Sequence, residues 1–216
     1  MLNLHIATIV IMAANVLVSL RGFSDTTFFD RYKFSIGGIQ AGQKERMATS
    51  GFLHVDISHL FLNMFTLYFF APVVIGWFGS VKFLIIYFVS LLGGSLLALF
   101  FHKNEPFYSA VGASGAVMGV LYAAILLNPD MQLGIMFIPI PLPAYVLGIA
   151  YLLYSIYGMK SRAGNIGHTA HFGGAVGGYL TTLLFKPELF VTDTLIVILL
   201  AIPIIILFVL EKMGKL

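Results

Sequence analysis

Apolar residues in this chain come in long unbroken runs, and the charged residues fall between them. Asp, Glu, Lys and Arg are absent from 1–20, 57–81, 83–102, 106–129, 131–159, 163–185 and 194–210. A helix that crosses a bilayer needs about 20 mostly apolar residues, within a range of about 17–25. Segments 3–20, 57–76, 83–102, 110–128, 141–158, 166–185 and 193–210 meet that requirement. Backbone polar groups find no water in lipid, so spanning segments must be helices or a closed barrel. The runs are continuous rather than alternating, which selects helices. The pattern predicts an all-α, polytopic membrane helix bundle forming a single membrane domain over 1–216. The first segment is expected to be a retained span, because no basic residue precedes its apolar run and Arg21 follows it directly.

Composition agrees. Hydrophobic residues make up 59% and charged residues 10%, whereas a soluble domain carries about 25% charged residues. Soluble enzymes and disordered proteins are excluded. The net charge, 12 − 9 = +3, is small and scattered, so no nucleic-acid partner is expected. There is no cysteine, which excludes disulfides, thiolate metal sites and cysteine nucleophiles. Residues 21–56 concentrate nine of the 21 charges beside Phe23, Phe28, Phe29, Tyr32 and Phe34. Such a loop is expected to lie partly in the membrane interface.

Polar residues inside the spans need an explanation of their own. The second span carries His59 and Asn63 on one helix face, with His54 just before it. The fourth carries Ser114 within Gly112-Ala113-Ser114-Gly115, with Gly119 beyond. The sixth carries His168 and His171, followed by Gly173, Gly174, Gly177 and Gly178. Even-numbered spans run in the same direction, and each polar group lies a turn or two after its span begins. At 1.5 Å per residue, Ser114 and His171 fall roughly 6–9 Å inside the same leaflet. Gly115 and Gly119 on one helix, with Gly174 and Gly178 on the face of His171, are small residues spaced to let two backbones approach closely.

A serine hydroxyl needs a base to become a nucleophile, and a neutral imidazole is the natural one. A serine at a helix N-terminus also offers its own unused N–H to an oxyanion, and His59 and Asn63 are further donors. No Asp or Glu lies mid-span, so the expected unit is a Ser114–His171 dyad. His54 and His168 are expected to be structural, and Ser90, Ser95 and Ser155 to bond backbone carbonyls. The zinc-protease pattern His-Glu-x-x-His is absent, as is a pair of mid-span aspartates. No metal and no cofactor are expected.

These motifs resemble the rhomboid family of intramembrane serine proteases over roughly 43–185. Gly112-Ala113-Ser114-Gly115 resembles its nucleophile motif. Ala170-His171-Phe172-Gly173-Gly174 with Gly178 resembles its histidine motif. His54, then His59-Leu60-Phe61-Leu62-Asn63, resembles its second core helix, with Arg46 and Thr49 fitting the stretch upstream. Phe83-Leu84 with Tyr87 and Ser90 fits the third helix. The resemblance implies Ser114 as nucleophile and His171 as general base and acid. It implies an oxyanion hole of His59, Asn63 and the Ser114 N–H. It also implies a six-helix core, about 1–187, to which 193–210 adds a seventh span. Its implied substrates are other proteins' transmembrane helices, cleaved within the bilayer after lateral access between spans two and five, with 159–166 as a lid. Glu45 stands where the family often has Trp, and Met118 where an aromatic is common. The acidic residue common near the end of the second helix is not seen around Val74–Ile75.

Loops after the odd-numbered spans hold 10 of the 12 Lys and Arg. The positive-inside rule would turn the mouth of the site to the cytosol. The family implies the opposite for most members, with the site opening outward; the expectation is a bacterial plasma membrane with the mouth on the extracytoplasmic side. A non-catalytic rhomboid-like binder of membrane proteins and a small transporter, the latter resting on Pro139, Pro141 and Pro143, are the rivals.

Overall fold

The computed structural model describes residues 4–135, 138–161 and 167–216. In chain order the helices are α1 (Ile6–Ser24), α2 (Thr26–Tyr32), α3 (Ile36–Gln40), α4 (Arg46–Thr49), α5 (Ile57–His102), α6 (Ser114–Leu127), α7 (Ala144–Ser161), α8 (His168–Phe185), α9 (Leu189–Thr192) and α10 (Thr194–Lys212). A 3₁₀ turn covers Ser50–Phe52. Short antiparallel pairs join β1 (Phe34–Ser35) to β2 (Ser109–Ala110) and β3 (Gln132–Ile135) to β4 (Ile138–Pro143).

Spans two and three are the two arms of α5. A straight helix of 46 residues would be about 69 Å long, more than twice a hydrocarbon core of about 30 Å. Gly79 breaks it with φ 74°, a left-handed conformation that glycine adopts without penalty. Leu60, Met64 and Leu67 of one arm and Ile86, Tyr87 and Leu91 of the other share a single apolar core with α6. With α5 divided at Gly79, the described residues form a six-helix core and an added seventh helix.

The helices divide by position. By length and composition, α1, α5 and α10 can each cross a membrane. The central α6 is buried except at Ser114 and Leu121, which are half-buried. Its 14 residues cover only about 21 Å, against about 30 Å of hydrocarbon. Its N-terminus is Ser114, which the chain reaches through an extended segment.

That segment departs from the sequence expectation of helix from 110. Ser109 and Ala110 pair instead with Ser35 and Phe34, and Gly112 turns the chain at φ 130°. The span expected from 141 likewise begins at Ala144, because Pro139, Pro141 and Pro143 lack the N–H a helix needs. Loop 21–56 is not a plain connector. Arg46 is buried and donates to Gln43 Oε1 (2.6 Å) and to the carbonyls of Asp30 and Lys33 (2.8 Å each). Thr49 donates to Tyr32 O at 2.9 Å. Ser95 Oγ of α5 donates to Met47 O at 2.7 Å and ties the loop down.

The seventh helix, α10, packs on α7 and α8. Leu200 and Leu207 are fully buried, and Tyr179 of α8 donates to Val197 O at 2.9 Å.

Candidate active site

Two helices that touch through glycine hold the central pair. A Cβ at Gly174 of α8 would strike the Gly115 carbonyl of α6, and one at Gly178 would strike Gly119. Backbone meets backbone, with no side chain between. One turn before Gly174 lies His171, and at the head of α6 lies Ser114. At this separation their side chains meet: His171 Nε2 and Ser114 Oγ are hydrogen-bonded. Both residues are half-buried and line a cavity of about 740 Å³ together with His59, Gly112, Tyr108 and Tyr151.

The extended segment before Ser114 is fixed from two sides. Gly112 N–H donates to Ser50 O at 3.0 Å. Ala113 N–H donates to His54 Nε2 at 3.4 Å. His54 Nε2 is thus an acceptor, so Nδ1 carries the proton and donates to Ser19 Oγ at 2.8 Å. Ser19 in turn donates to Phe52 O at 2.9 Å. His54 is fully buried. Burial, with the adjacent His59 adding to it and Asp56 opposing, pushes its imidazole down to about 3. His54 is a neutral strut between α1 and the approach to Ser114.

His59 stands across Gly112 from the serine. A Cβ at Gly112 would lie 2.6 Å from His59 Cε1 and 2.9 Å from Nε2, so only glycine lets this ring sit beside the serine. Its Nδ1 is buried without a partner. Asn63 is one turn further on and does not line the cavity; its amide donates to His59 O at 2.9 Å. The Ser114 N–H belongs to the first turn of α6, where N–H groups have no intrahelical partner.

Residues 41–188 match the rhomboid domain family. The chain belongs to the rhomboid family. It is 32% identical to the mitochondrial RHOMBOID-like protein 12 of Arabidopsis thaliana, over 77% of this chain and 54% of that one. It is 31% identical to the rhomboid protease GluP of Bacillus subtilis, over 65% and 26%. It is 30% identical to the inactive RHOMBOID-like protein 8 of Arabidopsis thaliana, over 67% and 39%. The chain thus spans about half the length of the first of these relatives and less of the others. They support an integral, multi-pass membrane protein; one is named as mitochondrial, one is bacterial, and the third is a plant protein whose name gives no compartment.

Two other serines of this rhomboid have structural partners. Ser95 bonds Met47 O, and Ser155 bonds Tyr151 O at 2.9 Å. Ser90 departs from the sequence expectation. Its Oγ is buried and has no partner among the described residues, at the point where α5 meets Gly119 of α6. Among the described residues no three His, Asp or Glu side chains converge as a metal site would require. The proposed lid, 159–166, falls for the most part (162–166) outside the described residues.

One site residue was missed by sequence reasoning. Tyr151 of α7 places its hydroxyl 2.5 Å from His171 Nδ1. Three residues on, the Tyr154 ring meets His168 edge to face, with centroids 5.3 Å apart. Residue numbers sum to 322 in both pairs, the register of two antiparallel helices. The matching spacings Tyr151-x-x-Tyr154 and His168-x-x-His171 were the available sign.

Proposed function

We propose that this rhomboid is an intramembrane serine endopeptidase acting on transmembrane segments of other membrane proteins. The observation that carries the reading is the hydrogen bond between Ser114 and His171 in the lining of one cavity. His171 Nε2 takes the Ser114 proton as Oγ attacks a peptide carbonyl. The resulting oxyanion lies near the Ser114 N–H and His59, while Asn63, outside the cavity lining, would reach it only by giving up its bond to His59 O; one donor of this kind is worth about 3–4 kcal/mol in the transition state. His171 then gives its proton to the leaving amine and activates the water that hydrolyses the acyl-enzyme.

A helical substrate shields its peptide bonds, so cleavage requires local unwinding and favours small or helix-breaking residues near the cut. The substrate enters sideways from the bilayer, between the first arm of α5 and α7. The mouth opens to the extracytoplasmic side. Four of the five cations in loop 21–56 support that side, being held within the folded loop: Arg21 by Asp25, Arg31 by Glu45, Lys33 by Asp30, and Arg46 by carbonyls. No metal or cofactor is invoked.

The test is Ser114→Ala in purified protein with a membrane-anchored substrate. Cleavage should be abolished while the fold persists, and a serine-directed phosphonate should label the wild type at Ser114. Undiminished cleavage by Ser114→Ala would overturn the assignment. A wild type that binds such substrates without cutting them would mark a non-catalytic binder.

A further inference from the structure

We infer that Tyr151 is the positioning residue of this site, fixing the tautomer of His171 from a helix that also walls the route by which substrate enters. The inference rests on the protease reading above. His171 makes two side-chain bonds, one from each ring nitrogen: Nε2 with Ser114 and Nδ1 with Tyr151. A neutral imidazole carries one proton. For Nε2 to accept from Ser114, that proton must be on Nδ1, where an acceptor is needed to hold it. No carboxylate reaches this nitrogen among the described residues; the partner is the Tyr151 oxygen at 2.5 Å. The rings lie 6.1 Å apart with planes inclined by 31°, an in-line hydroxyl contact rather than a stack. Tyr151 therefore holds the place that an acidic third member takes in a triad, orienting the ring and stabilising the imidazolium that forms when the serine is deprotonated.

The location adds a consequence. Ser114 and His171 belong to α6 and α8, joined by glycine contacts. Tyr151 belongs to α7, whose packing partners include α10 and whose tie to α6 includes the bond from the Tyr122 hydroxyl to Gly148 O. If α7 moves outward to admit a helix, the Tyr151–His171 bond opens. The base is then correctly held only when α7 has returned. Access and reactivity are coupled through one hydroxyl.

The experiment compares Tyr151→Phe, Tyr154→Phe and Ser114→Ala in the full chain in micelles, using a fluorogenic transmembrane substrate. Tyr151→Phe should lower kcat by about 10- to 100-fold, part of the contribution of a well-placed general base, with KM changed by less than about twofold. Tyr154→Phe, on the neighbouring rung, should leave kcat within about twofold of wild type. Nitrogen-15 NMR of histidine-labelled wild type should show His171 protonated at Nδ1, and Tyr151→Phe should lose that signature. The inference fails if Tyr151→Phe keeps wild-type kcat while Ser114→Ala is inactive, or if the resting wild type carries its proton on Nε2. That second readout needs no variant, so a poorly folded Tyr151→Phe does not shelter the claim. Should Ser114→Ala still cleave, the protease reading itself is what has failed.

Discussion

The seam between α5, α6 and α8 and the contact surface of α7 are both built from small residues, yet they behave as different materials. At the seam the neighbour is backbone. A Cβ at Gly94 would lie 2.5 Å from Ala170 O, one at Gly173 2.5 Å from Gly93 O, and one at Gly177 2.9 Å from Ser90 Cα. On α7 the neighbour is side chain. A Cβ at Gly148 would meet Ile125 Cδ1 at 3.1 Å, the Tyr122 hydroxyl at 3.4 Å and Leu200 Cδ2 at 3.5 Å. Backbone contacts admit one separation, whereas side chains can rotate. Ser114 and His171 therefore sit on a frame of fixed spacing, and Tyr151 sits on an element that can yield. The proposed cleavage of helices would need both, because a reaction geometry must be held closely while a path for a whole helix must open.

The largest effect should come from adding a methyl group to the seam. In Gly178→Ala the new carbon is driven into the O, C and Cα of Gly119, atoms that cannot swing aside. Overpacking of this kind costs about 3 kcal/mol, and parting α6 from α8 draws Ser114 away from His171. Detergent-denaturation midpoints and cleavage rates should both collapse. A variant within about 1 kcal/mol of wild type would show that the seam can give, and the contrast with α7 would be lost.

A smaller effect should follow from acid on the strut behind Ser114. His54 has an ordinary imidazole value when unfolded and is held at about 3 when folded. Between those values the unfolded chain binds a proton that the folded chain refuses, so stability rises with pH across the window. It is at its full value above about 6.5 and falls as the pH drops toward 3, by up to about 1.4 kcal/mol per unit. A protonated His54 also loses the acceptor for Ala113 N–H. Acid should therefore loosen the serine side and leave α7 in place. Denaturation midpoints between pH 7 and 4, compared with those of His54→Gln, measure the slope. An equal slope in the variant would assign the acid sensitivity elsewhere.

What could be read from residue order differs along the same line. Charge-free runs located the spans, since excluding charge from lipid acts on every residue of a span. Ser114 and His171 could be paired because glycines at four-residue spacing announce backbone contact, and contact fixes which faces meet. The α7 side offered no such rule. Tyr151 reads as one more aromatic in an apolar run, and only the antiparallel register with α8 makes it a partner of His171. The charge-free run predicts helix from 110, through Ala110, Val111, Gly112 and Ala113. Ala110 is extended instead, with Ser109, because the two pair with a strand some 75 residues earlier, Phe34–Ser35, and periodicity carries no record of distant pairing. The proline-spaced strand before Ala144 shows the opposite case, where local chemistry settled the matter and the apolar count misled.

The smallest effect is the sharpest check, because it repeats the seam substitution on the yielding surface. Gly148→Ala puts the same methyl group on α7, facing Ile125, Tyr122 and Leu200. Ile125 Cδ1 must retreat by a few tenths of an ångström, and a rotation of its last bond suffices. Against that small cost stands the gain of replacing glycine within a helix, about 0.8–1.0 kcal/mol. Stability should stay within about 1 kcal/mol of wild type, and the bond from Tyr122 to the Gly148 carbonyl involves no atom that changes. If Gly148→Ala were instead as damaging as Gly178→Ala, α7 would be as rigidly seated as α8. It could not then be the wall that moves, and lateral access would have to be sought along the first arm of α5.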